Sequence, residues 1–160
     1  MTSPCAAPPI TTEVVQVRRV FAAGCERIWR ALTHAADLAA WWGPNGFTNT
    51  VYGLDVWPGA SFHIAMRSAE GQAFSVEGLF EQLVPPIHAA VRFRITPEGG
   101  KPFGMNAVFT LLPCDDDGQL TVRVERPAHL HDVPMSGRAD WGQCFDRLEE
   151  LVLKGCVHND

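Results

Sequence analysis

The stretch Asp140-Trp141-Gly142-Gln143-Cys144-Phe145-Asp146-Arg147-Leu148-Glu149-Glu150-Leu151-Val152 decides how the rest of the chain must fold. Its large apolar residues Trp141, Phe145, Leu148 and Val152 fall at i, i+4, i+7 and i+11, one stripe of a 3.6-residue period. Asp140, Asp146, Arg147, Glu149 and Glu150 fill the other side. The pattern predicts one long amphipathic helix that starts somewhere in Asp132–Ser136 and stops at Lys154 and Gly155. Such a helix must bury its stripe on something, and a sheet is the only large partner the chain offers.

That sheet is legible upstream. Thr12–Phe21 alternates and is rich in β-branched residues, which reads as a strand. Cys25–Thr33, with Ile28, Trp29 and Leu32 on one face, reads as a short helix, and a second follows at about Ala35–Trp41 until Gly43-Pro44. Six more strands are predicted, near Phe47–Leu54, Ala60–Arg67, Gln72–Leu83, His88–Ile95, Phe103–Leu112 and Leu120–Arg126. Turn signals separate them, among them Trp57-Pro58-Gly59, Pro85-Pro86 and Asp115-Asp116-Asp117-Gly118. Short strands joined this way make an antiparallel meander. The predicted class is α+β: about seven strands, two short helices after the first strand, and the long C-terminal helix on the sheet. The expected boundaries are a disordered tail over 1–11, a single domain over 12–155 and a short tail over 156–160.

Composition agrees with one folded domain. The chain has 160 residues, 46% hydrophobic and 19% charged. It is long enough to bury roughly 68–70% of its unfolded surface without disulfides or metal. The net charge is −5, and residues 113–160 hold five basic against ten acidic side chains, while 1–112 balance at eight each. No basic stripe marks a nucleic-acid binder. No apolar run approaches the roughly 18 residues of a membrane helix, and the first residues lack the pattern of a signal peptide. Five cysteines, an odd number without C-x-x-C spacing, point to neither a disulfide framework nor a zinc site, so the expected setting is a reducing cytoplasm.

Strand alternation decides which residues look inward. Phe62, Ile64 and Met66 share a face, as do Phe74, Val76, Gly78 and Phe80; Val91, Phe93 and Ile95; and Met105, Ala107, Phe109 and Leu111. Leu120, Val122 and Val124 oppose Thr121, Arg123 and Glu125. The covered face is therefore rich in Phe and Met and almost free of ionisable groups. Ordinary core packing accounts for such a face; a greasy cavity between sheet and helix is the functional alternative. Gly78 and Ala107 remove bulk from it and favour a void. Trp41 and Trp42 are expected to divide, one plugging the core and the other walling the entrance, because adjacent residues do not share a helix face.

Acid–base candidates are few. His63 and Glu77 have outward parity, His88 begins a strand, and His129 and His131 flank Leu130. Two His at i, i+2 lack the further ligands that zinc needs, so neither His129 nor His131 is expected to bind metal. Asp115–Asp117 lacks the spacing of a calcium loop and reads as a hairpin turn. No catalytic residues can be assigned, and no cofactor is expected.

Trp41-Trp42-Gly43-Pro44, with its neighbours, resembles the activator of heat-shock-protein-90 ATPase homologue family of the START-like, or SRPBCC, superfamily. The resemblance runs in order from about Val14 to Leu153. Phe21-Ala22-Ala23 precedes Ile28-Trp29-Arg30-Ala31-Leu32-Thr33; then come Asp55-Val56-Trp57-Pro58-Gly59-Ala60, Gly78-Leu79-Phe80-Glu81 with Pro85-Pro86, and Asp140-Trp141 with Leu148. The chain departs from the family pattern at Gly24, Ala60 and Asp140. The resemblance implies the helix-grip fold of the birch-pollen allergen, a curved antiparallel sheet gripping the C-terminal helix with a cavity between. Superfamily members include lipid carriers, polyketide cyclases or aromatases, and the co-chaperone domain.

The leading expectation is a cytoplasmic protein that binds an apolar or aromatic small molecule. The expected lining is Trp41, Trp42, Phe62, Ile64, Met66, Phe80, Phe93, Met105, Phe109, Trp141 and Phe145, the last as the roof. The alternatives are a cyclase- or aromatase-like enzyme in the same cavity and a co-chaperone-like interaction module. A homodimer is the candidate assembly.

Overall fold

A computed structural model describes residues 11–130 and 132–157. His131 and most of both expected tails lie outside the described residues. The chain runs β1 (Thr12–Phe21), α1 (Cys25–Thr33), α2 (Ala35–Trp41), β2 (Thr48–Tyr52), β3 (Ser61–Arg67), β4 (Ala73–Val84), β5 (His88–Pro97), β6 (Phe103–Cys114), β7 (Asp117–Pro127) and α3 (Arg138–Val157).

The strands form one antiparallel sheet of seven in the order β1-β7-β6-β5-β4-β3-β2. β2 to β7 are a meander, and β1 closes onto β7 with Thr12 opposite Pro127 and Phe21 opposite Gly118. Burial alternates along the central strands as the side-chain period of two requires: Phe62, Ile64 and Met66 of β3 and Phe103, Met105, Ala107, Phe109 and Leu111 of β6 all face inward. The register of β4 against β5 slips between Phe80 and Gln82, a bulge that re-aims the end of β4. The Asp115-Asp116 turn joins β6 to β7 as a tight hairpin, with Asp115 at φ 57°.

Helix α3 buries Trp141, Cys144, Phe145, Leu148 and Val152 completely. It begins later than the sequence pattern predicts. Met135 takes a left-handed conformation, φ 68°, and is fully buried beneath the first turn. Its carbonyl accepts the Trp141 indole N–H at 2.8 Å. The Asp140 carboxylate, three residues into the helix, accepts the backbone N–H groups of Ser136 and Gly137 at 3.2 and 3.1 Å. These are orphan donors at a helix start, and the arrangement is the acidic half of a capping box. The helix continues two residues past Gly155. One glycine is tolerated in a helix at modest cost, so it does not by itself end one.

Candidate functional site

Beneath α1 and α2 the inward faces leave a small cavity. Its helical side is Leu32 and Thr33 of α1 with Leu38, Trp41 and Trp42 of α2 and its end; its sheet side is Phe62, Phe80, Ala89, Val91, Phe93 and Phe109. The free space is about 30 Å³. A void needs roughly 10–15 Å³ to admit one water, but a water also needs polar partners. The wall offers almost none. Its one polar side chain, Thr33, spends its hydroxyl proton on the Trp29 carbonyl at 2.8 Å. No ionisable side chain stands on the wall.

Six of the eleven expected lining residues border this space: Trp41, Trp42, Phe62, Phe80, Phe93 and Phe109. The other five are buried in the surrounding core. Trp141 stands one ring behind, edge-on to Trp42 and Phe109 with centroids 5.8 Å away from each. Phe145 packs against Phe21 at 5.7 Å, toward β1. Met66 offers its sulfur to the Trp42 indole N–H at 3.2 Å. Ile64 and Met105 complete the inner faces of β3 and β6.

Two expectations change. Trp41 and Trp42 do not divide between core and entrance: both are buried, at 1% and 3% exposure, and both line the cavity. Helical geometry would separate adjacent side chains, but the helix ends at Trp41. Trp42 is extended, with φ −66° and ψ 136°, so its ring swings back beside its neighbour. The Trp41 indole N–H is held by the Ala31 carbonyl at 2.8 Å. The space freed by Gly78 is not void either. The Phe62 ring lies where a Gly78 side chain would stand and packs on Phe80 at 5.3 Å between centroids.

The acid–base candidates lie elsewhere. Glu77 pairs with Arg94 on the outer face, which holds its carboxyl below the usual range, and His63 lies 3.6 Å from it. His88 meets Gln82 at 3.1 Å, and His129 is exposed in the turn after β7. Among the described residues no His, Cys, Asp or Glu side chains gather into a group able to hold a metal ion.

Two arginines escaped the sequence reading. Arg126 continues the inward parity of Leu120, Val122 and Val124 and is buried, at 6% exposure. It donates to the carbonyls of Ser136, Pro127 and Ala128 and pairs with Glu13 at 2.8 Å. Carrying the alternation to the next inward position would have found it. Arg147 sits on the polar side of α3, yet its guanidinium turns into the loop between α2 and β2. It donates to the carbonyls of Trp42, Gly43, Pro44 and Phe47 at 2.9, 2.9, 3.1 and 3.0 Å. Burial lowers its pKa. No pattern of spacing carries that signal, because its acceptors lie about 100 residues away.

Comparison with known proteins follows the same lines. Residues 22–153 match the family model described as Activator of Hsp90 ATPase homolog 1-like protein. No curated protein matches the chain. A crystal structure from Chromobacterium violaceum is 26% identical, with a TM-score of 0.74 over 87% of this chain and 96% of that one. The AHSA1 protein from Silicibacter pomeroyi shares the fold at 21% identity, with a TM-score of 0.71 over 89% of this chain and 99% of that one. DynU16, a protein of the dynemicin biosynthetic locus, shares it at 20% identity and a TM-score of 0.65, over 92% of this chain and 49% of that one. Among the described residues no helix is long and apolar enough to cross a membrane. With its seven-stranded antiparallel sheet and C-terminal helix, the chain belongs to the Activator of Hsp90 ATPase homolog 1-like protein family.

Proposed function

We propose that this protein binds an uncharged, apolar or aromatic small molecule in the space between its helices and sheet, as a cytoplasmic binding protein rather than an enzyme. The observation that carries the reading is the wall: aromatic and aliphatic throughout, with one hydroxyl and no ionisable group. General acid–base chemistry needs a donor or acceptor within hydrogen-bond reach of the substrate, and this wall supplies none that is charged or titratable. A ligand site for an apolar molecule needs shape and few polar groups.

The free space of about 30 Å³ is far below the roughly 300–1,000 Å³ of typical ligand sites. A wall must therefore yield. The sheet wall is fixed by the β3–β6 ladders. Helix α2 has seven residues and packs against β2, α1 and α3. It is the part able to lift, pivoting at His34 and at Gly43, whose φ is +92°.

Titration with naphthalene, indole and Nile red, followed by tryptophan and probe emission, tests the reading. Saturable binding is expected, together with tighter binding of naphthalene by Phe62→Ala, which adds room on the wall. Absence of saturable binding in both the folded wild type and that variant would overturn it.

A further inference from the structure

The wall of the apolar cavity is closed except at one place. Every residue on it is buried but Thr33, the last residue of α1, which is partly exposed. Thr33 therefore marks the mouth. It stands at the corner where α1 gives way to α2 and the backbone turns extended at His34, with φ −111° and ψ 134°.

The hydrogen-bonding capacity of this wall is one-sided. The Trp41 indole N–H is spent on the Ala31 carbonyl at 2.8 Å, and that of Trp42 on the Met66 sulfur at 3.2 Å. The Thr33 hydroxyl gives its proton to the Trp29 carbonyl at 2.8 Å, a bond that a helical threonine often makes to the residue four earlier. A hydroxyl carries one proton and two lone pairs, so the Thr33 oxygen can still accept after its proton is committed. Every side-chain donor on the wall is occupied, and one side-chain acceptor is left, at the mouth. A ligand that carries only acceptors, such as a ketone or an ether, gains no hydrogen bond from these side chains. An anion meets no cationic group there, and a cation meets no carboxylate. A ligand that ends in a hydroxyl or an N–H gains one bond at Thr33 while its body stays among the rings.

We infer that Thr33 determines the specificity of this cavity, accepting a hydrogen bond from an uncharged ligand with an aromatic or aliphatic body and a single terminal hydroxyl or N–H. The inference rests on the proposed reading of the cavity as a ligand site. Fluorescence titrations with naphthalene, 2-naphthol and 2-methoxynaphthalene test it, on the wild type, Thr33→Val and Thr33→Ser. 2-Naphthol and its methyl ether share a body and an oxygen and differ in the donor. The ratio of their affinities, 2-naphthol over the ether, is expected to fall about fivefold in Thr33→Val, the worth of one hydrogen bond. It should be kept in Thr33→Ser, which retains the hydroxyl. Naphthalene has no donor and should bind Thr33→Val at least as tightly as the wild type. A urea melt of each variant checks its fold, because Thr33→Val also frees the Trp29 carbonyl. A second measurement needs no variant: in the wild type, 2-naphthol should shift the amide NMR signals of residues 29–34 more than the ether does. An affinity ratio unchanged by Thr33→Val, or equal shifts from the two ligands, would overturn the inference. Saturable naphthalene binding would then leave the cavity reading standing. Absence of saturable binding for all three ligands would overturn both.

Discussion

At the scale of single residues, Gly78 and Arg147 place the cavity wall. Gly78 lies in an ordinary strand, so its role is steric: the Phe62 ring occupies the position of a Cβ. Gly78→Ala forces that ring toward the cavity or bends β4. The expected loss is about 1–3 kcal/mol, the usual range for overpacking, read from a urea melt. An unchanged midpoint would mean that Phe62 can move freely. Arg147 joins α3 to the loop that carries Trp42. Its four carbonyl acceptors are at helix ends and turns, where backbone acceptors lack ladder partners. Arg147→Met removes all four hydrogen bonds at once and should cost about 1–3 kcal/mol, allowing for partial access of water. Arg147→Lys should recover only part of this, because an ammonium is a point charge and cannot span the same fork of acceptors. Equal melts for Arg147→Lys and the wild type would show that charge rather than geometry matters.

At the scale of elements, α3 is the apolar keystone. Its stripe is buried completely, and its middle is tied to β1 by side chains as well. Arg19 of β1 reaches Asp146 at 2.8 Å and Glu149 at 3.2 Å on its outer side. Both carboxylates are exposed, so these pairs contribute little; the stripe supplies the stability. Leu148 has no exposed surface. Leu148→Ala should destabilise the protein by roughly 2–5 kcal/mol, the span seen when a buried leucine leaves a cavity. A thermal melt unaffected by the substitution would remove α3 from the core. Helix α2 is the opposite case. It is short, it buries only Leu38 and Trp41, and side chains from other elements hold it, chiefly Asn49 on the Ala39 and Trp42 carbonyls and Arg147 beyond its end.

At the scale of the molecule, this contrast predicts where the fold should open first. Local opening concentrates where buried apolar contacts are few. Amides of residues 38–42 should therefore exchange with deuterium through a local event, faster than those of Phe93 or Phe109. Naphthalene should slow the first set and leave the second unchanged. Exchange at one common rate in both sets would show that α2 opens only with the whole domain, and access to the cavity would then need another route.

The strand-and-helix order, the inward faces of β3 to β7 and the α3 stripe were legible in the sequence, because periods of 2 and 3.6 are local and survive without knowledge of neighbours. The bounds of α1 and α2 followed from the same local signals. The start of α3 did not, since it depends on Met135 turning under the helix and on Asp140 reaching back to cap it. The apolar character of the site was likewise fixed by alternation and composition. Its size and outline were not. Whether Gly78 makes a void depends on where Phe62 points, and whether two adjacent tryptophans share a wall depends on the helix ending between them. Arg147 looked like a solvated side chain until the loop it serves was brought beside it. These are contacts between residues far apart in the chain, and only the close packing of the folded interior decides them.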